Sequence, residues 1–142
     1  MNKIHVYTTI GLAFIFCSMA LAFYWIFLQP DVIKFNNPKA IQLDKSVYAP
    51  GERITYTLDY CKTKNIVGVV NRSLQDTYRI TYSTVNSNIE VGCHVVKIND
   101  LTIPDFIKGD GKTYHLEITG QYQLNPLKTQ MVVLRTVDFL IK

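Results

Sequence analysis

Residues 53–60 read RITYTLDY. Ile54, Tyr56, Leu58 and Tyr60 fall on one side of an extended chain, and Thr55, Thr57 and Asp59 on the other. That alternation is the pattern of a half-buried strand. Working outward, residues 49–52 (APGE) form a turn, in which Pro50 presets φ and Gly51 supplies a positive one. Residues 41–47 before it predict a first strand. After it, residues 66–70 are a short continuous apolar run, the signature of a central strand. Tyr78, Ile80 and Tyr82 then alternate against Arg79 and Thr81, and residues 86–88 (NSN) read as a turn. Residues 89–98 give another strand. Residues 112–124 give a further one, with Tyr114, Leu116, Ile118 and Tyr122 in phase. Residues 131–141 are the last, and Arg135 and Asp138 interrupt the alternation, which predicts a bulge or an edge.

About seven strands in about 100 residues, with turns every 8–12 residues, predict an antiparallel β-sandwich. Residues 110–116 (DGKTYHL) resemble the D-x-x-x-Y signature that precedes strand F in immunoglobulin-like and fibronectin-type-III-like domains. Residues 101–104 (LTIP) and 48–52 (YAPGE) are similar to that superfamily as well. The resemblance covers residues 40–142 in outline. It implies that Asp110 and Tyr114 form a structural corner, with the tyrosine hydroxyl bonded back to the corner backbone. The chain departs from antibody domains at Leu116, which stands where the strand-F cysteine falls, and in having its one tryptophan, Trp25, outside the domain. The architecture hosts many functions, so it identifies no activity.

The location comes from residues 6–28 (VYTTIGLAFIFCSMALAFYWIFL), which carry no charge. About 23 helical residues span roughly 34 Å, enough for a bilayer core of about 30 Å. Tyr7 at one end and Tyr24 and Trp25 at the other suit the headgroup boundary. Residues 1–5 hold Lys3 and no acid, so they are expected to remain in the cytoplasm with the C-terminal domain outside, periplasmic or extracellular. Residues 20–22 (ALA) also fit a signal-peptidase pattern, with 6–19 as the apolar core. Cleavage there would leave the apolar sequence FYWIFL as a mature terminus; the full spanning length and aromatic bracket favour an uncleaved signal-anchor. Pro30 stops the helix. Residues 29–39 read as a linker and 40–142 as the extracytoplasmic domain. Ser18 and Ala22 make a small-xxx-small pair that permits close helix packing, though such residues are frequent in any spanning helix.

The formal charge is +4, of which Lys3 supplies one, and no basic cluster exceeds residues 62–64 (KTK). Nucleic-acid binding is not indicated. Cys61 and Cys93 are an even pair in a domain expected to lie in an oxidising space, and a disulfide follows. It would close a loop of about 31 residues and add roughly 3 kcal/mol in the chain-entropy picture. They are not in a C-x-x-C arrangement, so a redox role is not expected. His94 and His115 lack the neighbouring ligands of a metal site, and no cofactor is implied. The serines lie in polar surroundings outside any G-x-S-x-G elbow, and the acids are scattered. Residues 109–111 (GDG) precede a strand, which suits a tight turn better than a phosphate cradle. Residues 71–73 (NRS) match the N-glycosylation pattern. Most tyrosines share the apolar phase of their strands and should be core, with a subset as an alternative binding patch.

The sequence thus predicts a single-pass membrane protein with a non-catalytic accessory or interaction role toward a protein partner. The alternative is a self-assembling structural subunit of an envelope, virion or filament.

Overall fold

The computed structural model describes residues 3–77, 79–109 and 111–142, with side chains from His5 onward. Helix α1 (Lys3–Phe23) runs into a π-helical turn (Tyr24–Leu28) and ends at Gln29, whose extended φ/ψ lets Pro30 follow. The span His5–Leu28 is long and apolar enough to cross a membrane, and none of its residues is buried against the rest of the chain. Val6 to Leu28 therefore present their side chains outward on all sides, as a lipid-facing helix does.

Among the described residues ten strands follow: β1 (Ile33–Phe35), β2 (Val47–Tyr48), β3 (Arg53–Lys62), β4 (Gly68–Gln75), β5 (Arg79–Thr81), β6 (Val85–Ser87), β7 (Gly92–Thr102), β8 (Thr113–Asn125), β9 (Lys128–Arg135) and β10 (Phe139–Ile141). They form a three-stranded sheet, β1-β3-β7, and a seven-stranded one built on β2-β10-β8-β4-β5, with β6 paired to β4 and β9 to β8. The chain is mostly β behind one apolar helix, as its patterning requires.

The period-two pattern of residues 53–60 is realised directly. Ile54, Tyr56, Leu58 and Tyr60 are buried, and they join Leu74, Leu116, Ile118, Tyr122 and Leu134 of the other sheet in one core. Both sheets thus bury one face against the other. Tyr56, Tyr60, Tyr114 and Tyr122 lie in that core as the phase argument expects, and Tyr48 joins them; Tyr82 is half-buried, and Tyr78 lies outside the described residues. Gly68 sits opposite Tyr122, and a Cβ there would come within 2.3 Å of the ring. The glycine therefore exists to let the aromatic ring lie flat on the neighbouring strand.

The turn expected at residues 86–88 is instead largely strand β6, and three architectural expectations change as well. First, the sheets are mixed: β2 pairs with β10 in parallel, so a purely antiparallel sandwich does not describe the domain. The cause lies in the segment before β3. Residues 33–35 pair antiparallel with β3, the chain kinks at Asn37 (φ 52°), and Val47 and Tyr48 then reach the last strand from the same direction. Second, residues 29–39 are not only a connection. Val32 and Ile33 are fully buried, and β1 extends the β3 edge. Third, the final apolar stretch is two strands, broken between Arg135 and Phe139. There Thr136, buried, turns its hydroxyl to accept the Leu116 amide.

Candidate functional site

Two regions concentrate polar chemistry. The first is where the helix meets the domain. The β8–β9 hairpin turns over residues 125–128, and its side chains hold the exit of the helix. Asn125 Nδ2 donates to the Trp25 carbonyl (3.0 Å) and to Gln29 Oε1 (2.9 Å), and Lys128 Nζ donates to the Gln29 carbonyl (2.7 Å). Gln130 Oε1 accepts from the Val32 amide (2.7 Å), while its Nε2 donates to the Ile33 carbonyl (2.6 Å). Leu127, at the hairpin tip, is exposed, as are Phe27 and Leu28 at the helix exit. The chain between helix and domain is thus held along its length by one hairpin.

The second region is the open flank of the two sheets, where β6 of one faces β7 of the other. Three polar contacts stitch it. Lys62 Nζ donates to the Ile89 carbonyl (2.7 Å), Arg72 pairs with Asp100, and the Tyr82 hydroxyl donates to the Thr102 carbonyl (3.1 Å). Behind this flank lies a cavity of about 90 Å³. Its walls come from both sheets, among them Leu58, Val70, Ile98, Ile118, Val132 and Leu134, with Arg72 and Asp100 as its charged groups.

Arg72 is in this position because of strand geometry. Gly68, Val70, Arg72 and Leu74 are successive inward positions of β4, opposite Tyr122, Gly120, Ile118 and Leu116. The residue is 6 % exposed, whereas the Asp100 carboxylate that pairs with it is half-exposed at the mouth. The Arg72 Nε–H has no hydrogen-bond partner. Burial pushes the Tyr56 phenol up to about 12; the Asp100 charge adds to this and Arg72 opposes it. Burial likewise raises Tyr82 to about 12 and pushes the Lys62 ammonium below its ordinary value.

The structure places the sequence-derived residues as follows. Cys61 and Cys93 are bonded and stand directly opposite each other on β3 and β7, on the outward face of the small sheet, where Cys93 is exposed. The free cysteine among the described residues is Cys17, on the apolar helix. Tyr114 is buried at the head of β8 beside Phe139 of β10; Asp110, its expected corner partner, lies outside the described residues. Tyr7 projects from the helix, as do Tyr24 and Trp25 at its other end. His94 and His115 stand in different sheets. His94 contacts the Val91 carbonyl (3.0 Å), and His115 lies 3.9 Å from Asp138. Among the described residues no three or more His, Cys, Asp or Glu side chains gather as metal ligands.

The 71–73 glycosylation pattern falls inside β4, paired to β8 throughout and to β5 at Ser73, and Asn71 Oδ1 accepts from the Thr84 hydroxyl, so it is not the surface loop such a site needs. Sequence reasoning passed over Arg72. Its signal was present, since residues 70, 72 and 74 keep strand period and put a guanidinium in phase with Val70 and Leu74.

No family model matches the chain, and no characterised protein matches it in sequence. Among solved structures, it is similar to the sporulation control protein Spo0M of Bacillus subtilis, with 14 % identity and a TM-score of 0.44 over 80 % of this chain and 50 % of that one. It is also similar to part of a β-glucosidase, EmGH1, of Erythrobacter marinus, with 15 % identity and a TM-score of 0.38 over 74 % of this chain and 15 % of that one. The chain spans half or less of either, and likeness at this level carries no functional conclusion.

Proposed function

We propose that this protein is a membrane-anchored, non-catalytic binding protein that presents its β domain to a protein partner at the membrane surface. The helix is the anchor, the N-terminus is cytoplasmic and the domain is extracytoplasmic, where the Cys61–Cys93 bond persists. The observation that carries this reading is the clasp of the hairpin on the helix exit through Asn125, Lys128 and Gln130. A domain mounted this way stands at a set height and orientation over the bilayer, the arrangement that favours binding a membrane neighbour by pre-paying orientation. We read the domain itself as immunoglobulin-like. Buried Tyr114 at the head of β8 and the shared core of two sheets support that reading.

Affinity capture of the full chain from detergent-solubilised membranes tests the proposal. One stoichiometric partner is expected, and its recovery should fall several-fold in the triple variant Asn125→Ala, Lys128→Ala, Gln130→Ala. A ladder of self-assemblies would instead establish the structural-subunit alternative.

A further inference from the structure

We propose that the cavity between the sheets is a binding site for a small, mainly apolar, neutral molecule that carries one hydrogen-bond acceptor oxygen, such as a ketone, ester or amide. This goes beyond the partner-binding reading and does not depend on it.

The walls fix the apolar part of the ligand. Leu58, Val70, Ile98, Ile118, Val132 and Leu134 converge on the space from both sheets, and strands β3, β4, β7, β8 and β9 hold them on paired backbone. A site of this composition selects apolar bodies and uses few polar groups to orient them. The size follows from the volume. An apolar cavity of about 150 Å³ accepts benzene, so about 90 Å³ suits roughly four non-hydrogen atoms.

Arg72 fixes the polar part. It is more than nine-tenths buried and lines the cavity, and its Nε–H is without a partner. The large majority of buried side-chain donors in natural interiors meet an acceptor, so a buried unmet N–H beside a cavity marks a place where an acceptor oxygen fits. The guanidinium charge is already neutralised by Asp100. A ligand anion would add an uncompensated negative charge to a site whose remaining lining is apolar save for the neutral hydroxyls of Tyr56, Ser87 and Tyr122, whereas a neutral oxygen completes the hydrogen bonding without disturbing the charge balance. One open donor calls for one acceptor. The way in lies beside Asp100, half-exposed at the flank between β6 and β7.

The test is an NMR titration of the isotope-labelled full chain in detergent micelles, following the Arg72 Nε–Hε resonance and the amides of Val70, Ile98 and Ile118. The probes are acetone and acetate, which have equal numbers of non-hydrogen atoms and differ in charge. Acetone should shift the Nε–Hε resonance saturably at millimolar concentration, and acetate should bind at least tenfold more weakly. Val70→Leu, which fills the space and keeps Arg72, should weaken acetone at least tenfold. Three results would overturn the proposal: no saturable shift of Arg72, equal or tighter binding of acetate, or an unchanged titration in a folded Val70→Leu protein. Should Val70→Leu not fold, the acetone-against-acetate comparison in the unaltered protein decides alone.

Discussion

The Arg72–Asp100 pair makes an asymmetric prediction about stability. At an effective dielectric of about 20, unit charges roughly 3 Å apart attract by about 5.5 kcal/mol. Asp100 is half-exposed, so solvent screens much of that, while Arg72 is buried and bears the larger desolvation. Asp100→Ala leaves a buried guanidinium without its counter-charge. Breaking a fully buried pair costs about 3–5 kcal/mol and an exposed one at most about 1, so a pair with one partner buried should cost about 2 kcal/mol. Arg72→Met removes the charge and the unmet Nε–H together and keeps apolar volume in phase with Val70 and Leu74. It should lie within about 1 kcal/mol of the parent or above it, and the double variant should match Arg72→Met. Urea unfolding of the full chain in micelles, followed by circular dichroism in the strand region, gives the midpoints at common slope. If Arg72→Met proves the more destabilising single change, the guanidinium is a net stabiliser and the electrostatic reasoning is refuted.

Three further outcomes are expected. Replacing Cys61 and Cys93 by serine should lower stability by roughly 3–4 kcal/mol, the loop-closure value for the separation of 32 residues; thiol labelling of the unreduced, denatured parent should find Cys17 alone. Gly68→Ala should cost about 1–3 kcal/mol because the new methyl meets the buried Tyr122 ring, and in Tyr122→Ala the same change should become nearly neutral, a coupling a double-mutant cycle reads directly. Burial, aided by Arg135, holds the His115 imidazole below its ordinary 6.5. The folded state therefore keeps it neutral after the unfolded chain has begun to protonate. Its share of stability is complete above about pH 6.5 and is lost as pH falls toward the folded-state value. His115→Gln should flatten the urea midpoint across that window; an unchanged slope would remove His115 from the account.

The local patterns were legible without a structure. Period two in residues 53–60 and 112–124 produced β3 and β8 with the expected residues inward, because side-chain direction in a strand depends on nothing beyond the backbone. The charge-free run of residues 6–28 made its helix for an equally local reason: apolar composition and length. The Cys61–Cys93 bond was readable from the even pair of cysteines in the domain and an inferred compartment, although its place on the outward face of one sheet was not.

What the tertiary structure decided is everything that depends on which strand lies beside which. The parallel pairing of β2 with β10 arises because the chain passes Asn37 from the β3 edge to the other sheet while keeping its direction, and such a change of sheet leaves no periodic trace. The short strand β1 was hidden because three residues are too few to show alternation, and its burial comes from the β3 edge and Gln130, far along the chain. The same holds for the candidate sites. Asn125, Lys128 and Gln130 become a clasp only when the hairpin meets the helix exit. Arg72 becomes a buried donor facing an apolar cavity only when the β3–β7 sheet closes over β4. Sequence fixes the direction of each side chain along its own strand; what it points at is set by packing between segments distant in the chain.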